Sequence, residues 1–247
     1  METVDRLIKI LCDERGEDIP TLNEKQKTDY FRALCNVRPP KPISKEFFDL
    51  QDEYLAKRTA EKGVIDVNNF TYKGGVALFK GDITTLNADA IVNAANSAML
   101  GCFSPLHNCI DNAIHSAAGV QVRLDCDKIM QGKTAKNGEV IVTKAYNLPS
   151  KFIFHTVGPI VYGRVTAQNQ ADIKKCYSNC LNKADEMKLK SIAICCISTG
   201  VFGYPKKEAA TLAVQTVKEY KAKSKSELKV IFNVFTEEDY EIYARLL

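Results

Sequence analysis

Three side chains in one short segment belong to the residue types that bind soft and borderline metal ions. Cys102, His107 and Cys109 follow the spacing C-x4-H-x-C on a stretch that runs into a helical pattern. Thiolate sulfur and imidazole nitrogen are zinc ligands, and three protein ligands leave a fourth position open, the arrangement of catalytic zinc. The competing reading is packing: two small core residues and a capping histidine, or a closed structural site with Cys126 as fourth ligand. A second segment, Ser198-Thr199-Gly200-Val201-Phe202-Gly203-Tyr204-Pro205, directly follows the apolar run 192–197. Its glycines let backbone approach a ligand closely, Pro205 suits a first helical turn, and N–H groups ahead of a helix bind anions. An ordinary strand-to-helix turn would look the same. A third pair of segments, Gly81-Asp82-Ile83-Thr84 and 89–96, each accompanies a strand-like run. Asn93 and Asn96 offer donors and acceptors that suit sugar hydroxyls, or they satisfy turn backbone groups.

The elements that must position these residues are legible as patterns. Apolar, often β-branched runs at 76–79, 90–92, 140–142, 152–157, 191–197 and 230–235 read as strands. Helical patterns lie between them: Ile110, Ala113, Ile114 and Ala117, stopped by Gly119, then 169–187, 205–222 and 237–246. Such alternation predicts an α/β fold with helices around a central buried sheet, in which ligands sit where strands end and helices begin. Residues 1–65 read differently. Val4, Leu7, Ile8 and Leu11 recur at helical spacing, Tyr30, Phe31, Leu34 and Cys35 form a second stripe, and Ser44 is the expected N-cap of a third helix ended by Gly63. No chemistry is evident there, so 1–65 is expected to be a helical N-terminal extension packed on a main domain of 66–247.

Composition narrows the function classes. The chain has 247 residues, 45% hydrophobic and 26% charged, as an ordinary globular protein does. A net charge of +4 is too mild for the basic footprint of a nucleic-acid binder; the basic run 218–229 reads as a solvated helix end and loop. No secretory signal is expected at the start, and no apolar run approaches a membrane span. The nine cysteines, odd in number and mostly within apolar runs, read as reduced. The expectation is a cytoplasmic monomer with neither nucleic acid nor membrane as partner. Cys176, Cys180, Cys195 and Cys196 read as core, His155 as a satisfied core group, and His115, one turn after Asp111, as a structural hydrogen-bonder.

Taken in series, Gly81–Thr84, Asp89–Asn96, His155-Thr156-Val157-Gly158-Pro159 and Ser198–Pro205 resemble the macrodomain family over about residues 70–247. The resemblance implies a three-layer α/β/α macrodomain with a central mixed sheet and an ADP-ribose cleft. By the family pattern Asp82 accepts the adenine amino group with Ile83 beside it. Ser198, Thr199, Gly200, Val201 and Phe202 wrap the pyrophosphate. Asn93 and Asn96 face the ribose nearer the scissile bond, and Phe235 stacks on adenine. Residues 110–119 match the helix that carries the family's catalytic aspartate, which places Asp111 there. The glycine run that precedes this helix in most of the family is replaced after Gly101 by the segment carrying Cys102, His107 and Cys109. In this the chain is similar to the zinc-dependent microbial macrodomains linked to sirtuin-type ADP-ribosyltransferases, which are ADP-ribosyl hydrolases. The implied function is a Zn2+-dependent protein-ADP-ribosylhydrolase acting on ADP-ribosylated protein, first of all on aspartate or glutamate esters, with Asn96 and Asp111 catalytic. A non-catalytic ADP-ribose reader and an O-acetyl-ADP-ribose deacetylase are the rivals.

Overall fold

The computed structural model describes residues 2–224 and 226–247, so Lys225 of the basic run lies outside the described residues. Three helices come first: α1 (Thr3–Arg15), α2 (Glu24–Val37) and α3 (Lys45–Lys62). Their ends are set locally. Asn23 and Gln26 form a capping box at the start of α2, and Ser44 accepts from the Phe47 amide at the start of α3, which Gly63 closes. The three helices bury Leu7, Ile8, Leu11, Phe31, Leu34 and Phe47 against one another as a cluster of their own.

The remainder forms one six-stranded sheet from β1 (Val76–Lys80), β2 (Ala90–Ala95), β3 (Val140–Lys144), β4 (Phe152–Val157), β5 (Ser191–Ile194) and β6 (Lys229–Val234), in the order β1-β6-β5-β2-β4-β3. Every neighbouring pair is parallel except β3 with β4. The central strands β2 and β5 are buried almost throughout, which is why they read as unbroken apolar runs rather than alternating ones. α4 (Ile110–Ala118) and α5 (Val120–Met130) pack together against β2 and β3. α6 (Ala167–Glu186), α7 (Lys206–Lys223) and α8 (Glu237–Leu246) pack together against β4, β1 and β6. The result is the three-layer α/β/α arrangement with a mixed sheet that the family resemblance implies, with eight α-helices among the described residues.

Two local expectations change. Gly119 does end α4, with φ of 100°, but α5 begins at the next residue, so the chain turns sharply and continues as helix. The run 191–197 is strand only to Ile194; Cys195, Cys196 and Ile197 already belong to the loop that leads into the glycine-containing segment. Among the described residues no helix is long and apolar enough to cross a membrane.

Candidate active site

Because β1, β6, β5, β2 and β4 run parallel, their C-terminal ends lie along one edge of the sheet. Each end delivers a residue to the same cleft: Asp82 after β1, Phe235 after β6, Ser198 to Phe202 after β5, Asn96 after β2 and Gly158 after β4 all line one cavity of about 1150 Å³. That is room for a ligand at or above the upper end of ordinary small-molecule sites.

At the β1 end, Asp82 Oδ1 accepts from the Thr84 amide (2.9 Å) and hydroxyl (2.6 Å). Oδ2 accepts from Lys62 Nζ at 2.9 Å. Partial burial raises the Asp82 pKa, but the Lys62 and Thr84 contacts outweigh it and hold the carboxyl below its ordinary value, hence ionised at neutral pH. Ile83 is buried beside it.

In the loop after β5, Ser198 takes a left-handed φ of 66°. This turns the chain so that the Thr199, Gly200, Val201 and Phe202 amides have no acceptor among the described residues. They precede the α7 N-terminus, where the helix dipole favours a negative charge. Gly158 lies beneath this loop; a Cβ there would fall 2.0 Å from Ser198 Oγ. Phe235 is 77% exposed, so it is a rim side chain available for stacking rather than a core residue.

The opposite end of the cleft carries the segment 101–109. Gly101 sits at φ +81°, where a Cβ would meet the His115 ring at 2.8 Å; this close approach explains a glycine at that position. Cys102, His107 and Cys109 are each half-buried and line the cavity. Cys102 Sγ and His107 Nδ1 are 3.7 Å apart, and the three ligand atoms lie within 4.8 Å of one another. Tetrahedral zinc, with bonds of about 2.3 Å to sulfur and about 2.0 Å to nitrogen, separates such an S,N pair by about 3.5 Å. The residues therefore fit the ion with little movement. Cys109 is also the N-cap of α4, its Sγ accepting from the Asn112 amide at 3.4 Å. Burial pushes its thiol up to about 11, partly offset by that amide. Cys126 lies elsewhere, fully buried with Sγ 3.8 Å from His155 Nε2.

Asp111, in the first turn of α4, lines the cavity while almost completely buried. Its Oδ1 accepts from Asn93 Nδ2 at 2.7 Å, and Asn96 Nδ2 approaches Oδ2 at 3.4 Å. Burial pushes the Asp111 pKa up to about 6, against the Asn93 hydrogen bond and the Arg123 charge that lower it. At neutral pH the group is ionised and a stronger base than a surface aspartate, as suits a general base. Asn93, expected to face a ribose, is fully buried beneath Asp111 and does not line the cavity. Its position on β2 opposite His155 points it into the layer between sheet and α4. There Nδ2 also reaches His155 Nδ1 at 3.1 Å, and His155 Nε2 reaches Thr143 Oγ1 at 3.0 Å. Since the amide nitrogen can only donate, His155 accepts at Nδ1 and donates from Nε2 to Thr143. His115 Nε2 stands 3.5 Å from Asp111 Oδ1 but has no hydrogen-bond partner among the described residues. Burial first, then His155 and Arg123, hold its pKa well below the usual value. The ring is neutral, so this is a contact and not an ion pair.

The N-terminal helices have a structural role at the cleft that their sequence does not announce. α2 and α3 wall the cleft with Thr28, Arg32, Tyr54, Arg58 and Lys62. Arg32 bonds the carbonyl of His107 and Lys62 bonds Asp82. These are ordinary-looking polar helix residues whose partners lie 75 and 20 positions away, so no local signal marks them.

Comparison with known proteins agrees with this architecture. Residues 92–213 match the Macro domain family. A "Protein-ADP-ribose hydrolase" from Treponema medium is 45% identical, the alignment covering 99% of this chain and 96% of the relative. A variant of the Oceanobacillus iheyensis macrodomain, solved with ADPR, is 38% identical with a TM-score of 0.64, covering 69% of this chain and 90% of the other. The Trypanosoma brucei macrodomain in complex with ADP is 27% identical with a TM-score of 0.65 and covers 100% of this chain and 97% of its own. With a fold built to bring five parallel strand ends into one cleft and a relative 45% identical over 99% of it, this chain belongs to the macrodomain family.

Proposed function

We propose that this macrodomain is a zinc-dependent protein-ADP-ribosyl hydrolase that releases mono-ADP-ribose from aspartate or glutamate side chains. The observation that most supports it is the meeting of Asp111, Asn96 and the ligand set Cys102, His107 and Cys109 at one end of a cleft whose other end holds an anion-binding loop. A module that only reads ADP-ribose needs the adenine and phosphate contacts alone. The relative from Treponema medium is named for the hydrolysis.

In this reading the Asp82 carboxylate takes the adenine amino group and Phe235 covers the base. The free amides of Thr199 to Phe202 bind the diphosphate, which draws the distal ribose towards Asn96. Asn96 Nδ2, already bonded to the Gly101 carbonyl at 3.0 Å, holds the sugar beside the 101–109 segment. Asp111, kept in orientation by Asn93, positions a water and takes its proton as the water oxygen bonds to the anomeric carbon. That carbon passes through an oxocarbenium-like state, and the protein carboxylate departs with the electrons of the broken C–O bond. Cys102, His107 and Cys109 would hold the zinc, which supplies Lewis-acid polarisation and a fixed point for the ribose. Replacing Cys109→Ala is expected to abolish release of ADP-ribose from modified protein while calorimetric ADP-ribose affinity stays within about threefold, since the phosphate loop is untouched. Full turnover in that variant would sink the proposal.

A further inference from the structure

The ligand segment has little structure of its own. Within 102–109 the backbone makes one internal bond, His107 N to Ser104 O at 3.3 Å. Its shape comes from outside, and much of it from α2. Arg32 donates from Nε and Nη2 to Asn112 Oδ1 (3.1 and 2.6 Å) and from Nη2 to the carbonyl of His107 itself (3.2 Å). Asn36, 2% exposed, accepts from the Leu106 amide at 3.0 Å and donates to Ser116 Oγ at 3.0 Å. Leu106 has a left-handed φ of 56°, a conformation that needs such outside support in a non-glycine residue. Asn112 joins the two sides: its Oδ1 is held by α2, its Nδ2 donates to Ser104 O at 3.0 Å, and its amide donates to the Cys109 sulfur.

We propose that α2 of the N-terminal extension is the positioning element of the metal-binding segment, acting through Arg32 and Asn36 on His107 and, by way of Asn112, on Cys109. This rests on the reading of Cys102, His107 and Cys109 as zinc ligands. The guanidinium is the right group for the task, since its planar fork serves Asn112 and the His107 carbonyl at once, which a lysine ammonium on a flexible stem does not. Groups that orient metal ligands from behind ordinarily account for about 10- to 100-fold in metal affinity. The extension is then part of the metal site rather than a separate packing unit.

The test uses the full chain, metal-free, titrated with zinc against a chromophoric chelator, together with cobalt substitution read by its thiolate charge-transfer bands. Three variants are compared with wild type: Arg32→Lys, Asn36→Ala and Gln51→Ala. Gln51 is as buried as Asn36 and ties α3 to Val120 and Gln121, with no hydrogen bond to the ligand segment. The expected result is that Arg32→Lys and Asn36→Ala weaken zinc by about 10- to 100-fold and alter the cobalt bands, while Gln51→Ala binds both metals as wild type does. Thermal unfolding of the metal-free proteins checks that all three are folded, and either of the first two variants suffices if the other is not. Unchanged zinc affinity in both, or equal weakening in Gln51→Ala, overturns the positioning role. A wild-type chain that takes up no zinc overturns the metal reading itself.

Discussion

Replacement of Asn93 by alanine removes the group on which the geometry of Asp111 depends. Asn93 is fully buried and spends both hydrogens of its amide, one on Asp111 Oδ1 at 2.7 Å and one on His155 Nδ1 at 3.1 Å. A hydrogen bond to a charged acceptor is worth about 1.5–3 kcal/mol, and the buried imidazole nitrogen left unpaired costs about 1–3 kcal/mol more. Against this, Asn93 Oδ1 is itself buried with no partner among the described residues, so its removal recovers about 1–3 kcal/mol. The net loss for Asn93→Ala is about 2 kcal/mol, which lowers the melting temperature of a chain this size by about 4–8 °C. Turnover should fall by about 100-fold or more, because a carboxylate free to rotate no longer holds its water. ADP-ribose affinity should stay within about threefold, since Asn93 does not line the cleft. Differential scanning calorimetry, an ADP-ribose release assay and a binding titration on one preparation report all three. A variant with wild-type stability and turnover would refute the idea that Asn93 orients Asp111.

Two further substitutions test separate parts of the site. Gly158→Ala would place a Cβ 2.0 Å from Ser198 Oγ and 2.7 Å from Ile197 Cγ2, displacing the 198–202 loop. ADP-ribose affinity should fall at least about tenfold, with about 1–3 kcal/mol of stability lost to overpacking; calorimetric titration giving wild-type affinity would contradict this. For pH, burial lowers the His155 pKa to about 3 in the folded state, against about 6.5 when unfolded. The unfolded chain therefore binds the extra proton, so this histidine's contribution is intact above about pH 6.5 and is lost towards pH 3 at about 1.4 kcal/mol per pH unit. Asp111, with its pKa raised to about 6, takes up a proton when folded and works in the opposite sense below that pH. The difference between variants isolates the histidine: unfolding free energies from denaturant titrations between pH 6.5 and 5 should fall less steeply in His155→Gln, by about that slope. Parallel pH profiles would show that His155 is not held neutral.

Much of this molecule is legible in its sequence because burial on both faces writes strands as plain apolar runs, as in β2 and β5, and because caps such as Ser44 and terminators such as Gly63 and Gly119 act locally. Where a ligand segment must follow a strand, parallel topology does the rest and gathers Asp82, Asn96, Ser198 and Phe235 in one cleft. What is not legible depends on direction and distance. Asn93 and Asn96 look alike in the chain, yet strand alternation sends the first under Asp111 and the strand end frees the second for the cleft. α5 is hidden because Gly119 ends one helix and opens the next without a loop. Arg32 and Lys62 are polar residues on α2 and α3, indistinguishable from solvated ones until the fold brings Asn112 and Asp82 to them.

Metal-dependent hydrolysis is tested by release of free ADP-ribose from an aspartate- or glutamate-ADP-ribosylated protein. The full chain is assayed zinc-loaded, after stripping by chelator, and after zinc is returned. The expected result of metal-dependent hydrolysis is release that vanishes on stripping and comes back with zinc, while ADP-ribose binding persists throughout. Equal release in the stripped protein, or no release in any state with binding intact, would contradict it.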